Sequence, residues 1–253
     1  MHPETIYHYS SSMDFLWGLL VKKEMYATHK DFLNDPSELS GMISNLKTKI
    51  DSDFPALSTN DHFNNLIHDE LTHINIFIIS FSCLKDNLPL WLIYARGGGY
   101  SIGINTAYLS KSIKQTEEPI SENNFSILKN DELSIAMGLC RYEKYRPLLG
   151  KNVLLESFFK HQAYKFESEF RIAILNPDAS FPYSGKFIQL IADKIRLQIP
   201  FADDIDLNTL IDEIIISPFG NQGVIKNKIK KICQFADIDT QKIKVSDIPY
   251  QEA

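Results

Sequence analysis

The chain has 253 residues, of which 44% are hydrophobic and 23% charged, with a formal net charge of −6. That balance describes a globule with a core, and it excludes a disordered, collagen-like or coiled-coil chain and disfavours bulk electrostatic coating of nucleic acid. Three dispersed cysteines (Cys83, Cys140 and Cys233), an opening without a secretion signal, and apolar runs far short of the ~20 residues of a bilayer span lead us to expect one cytoplasmic domain, residues 1–253, with no membrane association.

Residues 5–9 are β-branched and aromatic and predict a short strand. Ser10, Ser11 and Ser12 follow as N-cap candidates for a helix to about residue 23, with Asp14 in its first turn and Met13, Leu16, Leu19 and Leu20 on one face. A second short strand is expected at 25–28, then turn chemistry at Asn34, Asp35 and Pro36, then a helical pattern over 39–71 broken around 51–60. Residues 74–82 read as a central strand, 91–94 as a helical turn after Pro89, and 100–105 as a strand after three glycines. The polar stretch 110–131 predicts loops or a lid. Beyond it come a strand at 138–145, a helix at 154–164, and strands at 166–175, 187–191, 195–199 and 211–217. A basic amphipathic helix at 222–235 closes the chain. Short strands with irregularly inserted helices predict an α+β fold rather than alternating βαβ units.

Chemistry concentrates in a few places. In a strand, Glu167 and Glu169 of Phe166-Glu167-Ser168-Glu169-Phe170-Arg171 share one face, about 6.6 Å apart. Two desolvated carboxylates so placed repel, which raises one carboxyl pKa and suits proton acceptance, oxocarbenium stabilisation or a grip on sugar hydroxyls. Arg171 on the same face can anchor a carboxylate or bind a phosphate. From spacing alone the commoner outcome is an exposed strand face with a weak Glu–Arg pair. His8 stands where a strand enters a helix, pointing opposite to Tyr7 and Tyr9. Ser80 and Ser82 place two hydroxyls on one face of an apolar strand. Trp91 and Tyr94 share a helical turn and can stack on a ring or pack in the core. Gly97 to Gly99 lack the Gly-Lys-Ser/Thr of a P-loop, and His68 and His73 are five apart where the zinc-protease helix needs four, so no metal site is expected. Lys226, Lys228, Lys230 and Lys231 read as a solvated helix face, with nucleic-acid contact as the rarer alternative.

The motifs Tyr7-His8-Tyr9-Ser10, Leu33-Asn34-Asp35-Pro36-Ser37-Glu38, Ser80-Phe81-Ser82, Trp91-Leu92-Ile93-Tyr94 and Glu167-Ser168-Glu169-Phe170-Arg171 occur in the order of an uncharacterised bacterial family. That family in turn resembles the ADP-ribosyltransferase superfamily. The resemblance implies split mixed or antiparallel β-sheets with inserted helices, clasping NAD as substrate in a cleft. It implies Glu169 as the catalytic glutamate, gripping the nicotinamide-ribose 2′-hydroxyl as positive charge develops, and Glu167 as the residue that orients or deprotonates the acceptor. His8, Tyr9, Ser80, Ser82, Trp91, Tyr94 and Arg171 would border the NAD site. Asn34 and Asp35 would lie in a loop near it, with Glu38 beside them. The first-strand His8 follows one branch of the superfamily, whereas the Glu-x-Glu and Ser-x-Ser pattern belongs to another, which has Arg at that position. The implied activity is transfer of ADP-ribose from NAD to a macromolecular acceptor, protein or nucleic acid. Related proteins act as toxins or phage-defence effectors, a toxin having an inhibitory partner protein. NAD hydrolysis and non-catalytic ligand binding are the alternatives.

Overall fold

A computed structural model describes residues 2–33, 75–113, 120–122, 125–130, 133–142, 154, 157–176, 188–191 and 193–249. The strands are β1 (Thr5–Ser10), β2 (Glu24–His29), β3 (Asn75–Ser82), β4 (Tyr100–Asn105), β5 (Ile120–Glu122), β6 (Phe125–Asn130), β7 (Leu133–Leu139), β8 (Glu169–Asn176), β9 (Ile188–Ile191), β10 (Lys194–Pro200), β11 (Ile211–Ile216) and β12 (Ile243–Val245). The fold is α+β. Its main path runs β12-β11-β4-β1-β3-β8-β7-β6-β5, antiparallel throughout except for the parallel pair β11–β12.

The sheet forks at β3. One edge of β3 pairs with β8 along its whole length, from Asn75↔Asn176 to Ser82↔Glu169. The other edge is shared: Phe77 and Ile78 pair with β2, while Ser82 pairs with Tyr7 of β1. Between those attachments, residues 79–81 have no strand on that side among the described residues. One wing, β1-β4-β11-β12, and the other, β2-β10-β9, therefore diverge from the middle of β3. A gap between splayed strands leaves backbone groups unpaired unless side chains reach them, so it is where polar chemistry is required.

The first helix starts where the serines place it, although its N-cap position is Met13 and Ser12 bonds one residue ahead of it. The Ser12 hydroxyl accepts from the Asp14 N–H (3.1 Å) and donates to the Asp14 carboxylate (2.7 Å). Helix α1 (Asp14–Trp17) widens into a π-turn over Gly18–Lys22, and Lys23 at φ 56° ends it. It buries Phe15, Leu16, Leu19 and Leu20 against Ile6, Phe81, Tyr100 and Ile102 of the sheet. Each such side chain contributes about 1.5–3 kcal/mol on burial. Helix α2 (Leu88–Tyr94) starts under an Asn87 cap, whose side chain accepts from the Leu90 N–H. Helix α3 (Thr106–Ser112) and the short α4 (Leu207–Leu210) pack at the end of β4. The closing helix α5 (Gln222–Phe235) buries Ile229 and Cys233 and exposes Lys226, Lys228, Lys230 and Lys231.

Several expectations are corrected. The region 110–131 contains the end of α3 and the strands β5 and β6, because backbone pairing with β7 supplies a ladder that local polarity conceals. Of the strand expected at 138–145, Gly138 and Leu139 end β7, the chain turns out at Arg141, whose N–H and carbonyl bond to Phe158 and Lys160, and residues 143–145 lie outside the described residues. Of the helix expected at 154–164, Leu154 is helical and residues 155–156 lie outside the described residues, but Phe159 bridges to Arg141 and Gln162–Glu167 form a 3-10 helix instead. The strand expected from residue 166 begins at Glu169, since Ser168 holds φ 44°. The helical pattern at 39–71 lies outside the described residues. No helix among the described residues is long and apolar enough to cross a membrane.

Candidate functional site

The fork opens into a cleft of about 480 Å³, inside the range of small-molecule sites. His8 and Ser10 enter it from β1, Tyr26 and Thr28 from β2, Ser80 and Ser82 from β3, Tyr94 from α2, and Lys194 and Arg196 from β10. Glu167 lines it from the end of the 3-10 helix, and Glu169 and Arg171 from β8. Of the residues expected at a site, His8, Tyr9, Ser80, Ser82, Tyr94, Glu167, Glu169 and Arg171 all border this one cleft. Asn34, Asp35 and Glu38 lie outside the described residues. Trp91 is not part of the lining: its indole is fully buried, meets Tyr9 edge-on and donates to Asp86 (2.8 Å), so it packs and does not stack on a ligand.

The acids converge, although not by the route their spacing suggests. Glu167 ends the 3-10 helix, Ser168 reverses the backbone, and Glu169 opens β8 opposite Ser82. Both carboxylates are buried, at 5% and 3% exposure, and they share one ammonium. Lys160 Nζ lies 2.5 Å from Glu167 Oε2 and 2.8 Å from Glu169 Oε2. Arg171, 1% exposed and opposite Ser80 in the ladder, donates from Nε to Glu169 Oε1 (2.7 Å) and from Nη2 to Oε2 (3.1 Å). Its Nη1 donates to the Ser157 carbonyl (2.6 Å). Tyr94 OH donates to Glu167 Oε1 (2.9 Å), so this hydroxyl clamps the acid while the ring lines the cleft.

The electrostatic expectation is reversed. Burial alone would raise the Glu169 pKa, but Arg171 and then Lys160 overcome it and hold the carboxyl at about 2. Mutual repulsion of the two acids is offset by two buried cations. Lys160 is the residue the sequence reading missed. Two acids placed on one buried face demand a counter-charge beyond Arg171, and that demand was the available signal.

The serines differ in duty. Ser82 Oγ donates to the Glu167 carbonyl (2.6 Å) and accepts from the Leu84 N–H (3.0 Å), which ties the acidic turn to the end of β3. Ser80 is exposed in the cleft, and its carbonyl faces the gap in the sheet. There His8 Nδ1 meets it at 3.0 Å. A carbonyl only accepts, so Nδ1 carries the proton. Burial first, and then the Arg196 charge, lower the His8 pKa to about 4, so Nε2 is a bare acceptor at neutral pH. Phe15 stacks on the imidazole at 3.8 Å and fixes the ring plane. Tyr9 turns the other way: its hydroxyl donates to the Leu84 carbonyl (2.7 Å) and accepts from the Asn87 N–H, and burial raises its pKa to about 12.

Chemically, the cleft offers one neutral imidazole acceptor, a serine hydroxyl, an aromatic wall of Tyr94, Tyr164 and Phe166, and two buried acids paired with cations. Among the described residues no group of three or more His, Cys, Asp or Glu side chains could hold a metal ion. Comparisons with protein-family models, with curated proteins and with solved structures found no match.

Proposed function

We propose that this protein cleaves the bond between nicotinamide and ribose in NAD and transfers ADP-ribose to a macromolecular acceptor, as an ADP-ribosyltransferase. One observation carries the reading: side chains from four distant segments, His8, Ser80 with Ser82, Tyr94, and Glu167 with Glu169, border a single cleft at a fork in the sheet. This is the constellation the motif resemblance requires.

The reaction asks little of an acid catalyst. The C1′–N bond breaks with its electron pair going to nicotinamide, which leaves neutral. The positive charge that develops on the ribose needs a nearby carboxylate and a water-poor site. A carboxylate has about four lone-pair sites, and Glu169 uses three of them on Lys160 and Arg171, leaving room at Oε1 for one sugar hydroxyl. An acceptor oxygen or nitrogen then bonds to C1′ and passes its proton to Glu167, whose oxygens each hold one partner. His8 Nε2 accepts from a ribose hydroxyl or from the nicotinamide amide.

A second reading, a cleft that binds a nucleotide without cleaving it, is favoured by the pairing of both acids with buried cations. One experiment separates the two. Purified protein is incubated with NAD labelled in its adenylate, and nicotinamide release and label transfer are measured. Release that falls at least 100-fold in Glu169→Gln supports the proposal, and equal release by both proteins removes Glu169 from the chemistry. Release without label on any acceptor makes it a hydrolase. Binding without release leaves the second reading.

A further inference from the structure

We infer that Arg196 and Lys194 on β10 form a subsite for the diphosphate of a nucleotide, on the wall of the cleft facing the acid cluster. The inference rests on the proposed nucleotide substrate and assigns its orientation. Strand alternation puts Lys194 and Arg196 on one face, about 6.6 Å apart, and both line the cleft. Arg196 sits opposite Thr28 in the β2–β10 ladder, which adds a hydroxyl on the same face. The alternate residues Leu197 and Ile199 are buried in the core, so the register of β10 is fixed and the two cations cannot turn away.

Their charge is unspent. The buried Nε of Arg196 has no hydrogen-bond partner, and among the described residues neither cation lies within ion-pair distance of a carboxylate. The nearby acids are engaged elsewhere. Glu24, on the same face of β2, is held by Tyr26, Gln198 and Lys22, and Asp14 accepts from the Ser12 hydroxyl. By contrast, Lys160 and Arg171 are committed to Glu167 and Glu169. A desolvated guanidinium N–H with no acceptor is satisfied by a planar, multiply charged oxyanion, and a second cation one pleat away matches two linked phosphates. The Arg196 charge also acts on His8, so the subsite adjoins the imidazole, which itself adjoins Ser80 on the acid side. The bound nucleotide thus runs from phosphates at β10, past His8, to the ribose at Glu169.

Calorimetric titration of the full chain with ADP, adenosine and inorganic pyrophosphate tests this. ADP should bind at least tenfold more tightly than adenosine. Arg196→Gln and Lys194→Gln should each weaken ADP at least tenfold and leave adenosine unchanged, with Arg196→Lys in between. Pyrophosphate should compete with ADP in the wild-type protein only. ADP affinity within twofold of wild type in both Gln variants overturns the subsite, as does equal binding of ADP and adenosine. The two proposals fail separately. Nicotinamide release with an unchanged KM for NAD in Arg196→Gln sinks the subsite and spares the reaction, whereas Arg196-dependent ADP binding without any nicotinamide release does the reverse.

Discussion

Lys160→Met isolates what the buried ammonium does for the acid pair. Lys160 is 7% exposed and touches both carboxylates, and methionine keeps most of its aliphatic volume while deleting the charge. Glu169 is depressed from 4.5 to about 2. At about 1.4 kcal/mol per tenfold change, that depression amounts to about 3 kcal/mol shared between Arg171 and Lys160, with Arg171 the larger. The variant loses the smaller share and in addition strips Glu167 of its cation. The sum, about 3 kcal/mol at pH 7, lies at the lower end of what breaking a buried pair costs. The pH dependence carries the distinctive sign. In the wild type the Glu169 contribution is complete above the unfolded value of 4.5 and lost only as pH falls toward 2, so this group leaves stability flat between pH 7 and 5. In the variant Glu169 keeps Arg171, but its buried neighbour is left without a cation, which favours the protonated form of that acid, so the variant recovers stability over that same interval. Urea unfolding at pH 7, 6 and 5 should therefore show a deficit that shrinks as the solution becomes more acid. Lys165→Met, at an exposed lysine of the 3-10 helix that follows Lys160, should stay within about 0.5 kcal/mol of wild type. A deficit below about 1 kcal/mol at pH 7, or one unaltered by pH, would refute the shared-cation argument.

A Cβ at Gly99 would stand 2.3 Å from the Ser10 carbonyl oxygen and 2.9 Å from Ser11 Cα, both backbone atoms, whereas one at Gly97 meets nothing within 4 Å. Gly99→Ala should thus lower stability by at least about 1–3 kcal/mol in urea melts, and Gly97→Ala should fall within about 0.5 kcal/mol of wild type. Ser82→Ala leaves the Leu84 N–H without its acceptor and frees the Glu167 carbonyl, so a loss of about 1–3 kcal/mol is expected, together with faster amide exchange at Leu84. The His8 imidazole should show flat NMR shifts from pH 8 to 5. Because its folded pKa is lowered, its contribution to stability declines as pH drops from 6.5 toward 4, and a midpoint above 6 would contradict the buried, Arg196-facing environment.

The strands with strong β-branched runs were legible. The strand expected at 100–105 is β4 to the residue, the one expected at 211–217 ends one residue earlier, the one expected at 195–199 extends by one residue at each end, and the one expected at 187–191 is described from Ile188, because burial and propensity agree there. What local pattern could not convey was pairing. Strands β5 and β6 exist through β7, and β7 itself stops where Cys140 and Arg141 bond to Glu169 and Phe158 instead of extending. The same limit shaped the site. The acids, His8 and the serines announced themselves through residue type. Arg196 and Lys194 did not, since a basic residue on a short strand has no local signature until the fork sets that strand against the cleft. Trp91 shows the opposite limit: an aromatic at a helical turn near a site fits either a ligand platform or the core, and the Asp86 carboxylate together with Tyr9 holds it in the core.

The distribution of charge in the cleft also argues about order of events. Glu167 and Glu169 with Lys160 and Arg171 sum to zero, so at distances beyond a contact the acid end exerts almost no attraction on a cation. Lys194 and Arg196, with no carboxylate partner among the described residues, project a positive field from the opposite wall. On the proposed reading, encounter is governed by the phosphates, and the acids act only on atoms close enough to touch Glu169 Oε1. Association with a nucleotide should then slow as ionic strength rises, while the breaking of the glycosidic bond, once the nucleotide is seated, should be nearly indifferent to salt. A single-turnover step that weakened with salt in parallel with binding would mean that the acid end is not self-neutralised, and that the pairing of Lys160 with both carboxylates does not describe the working site.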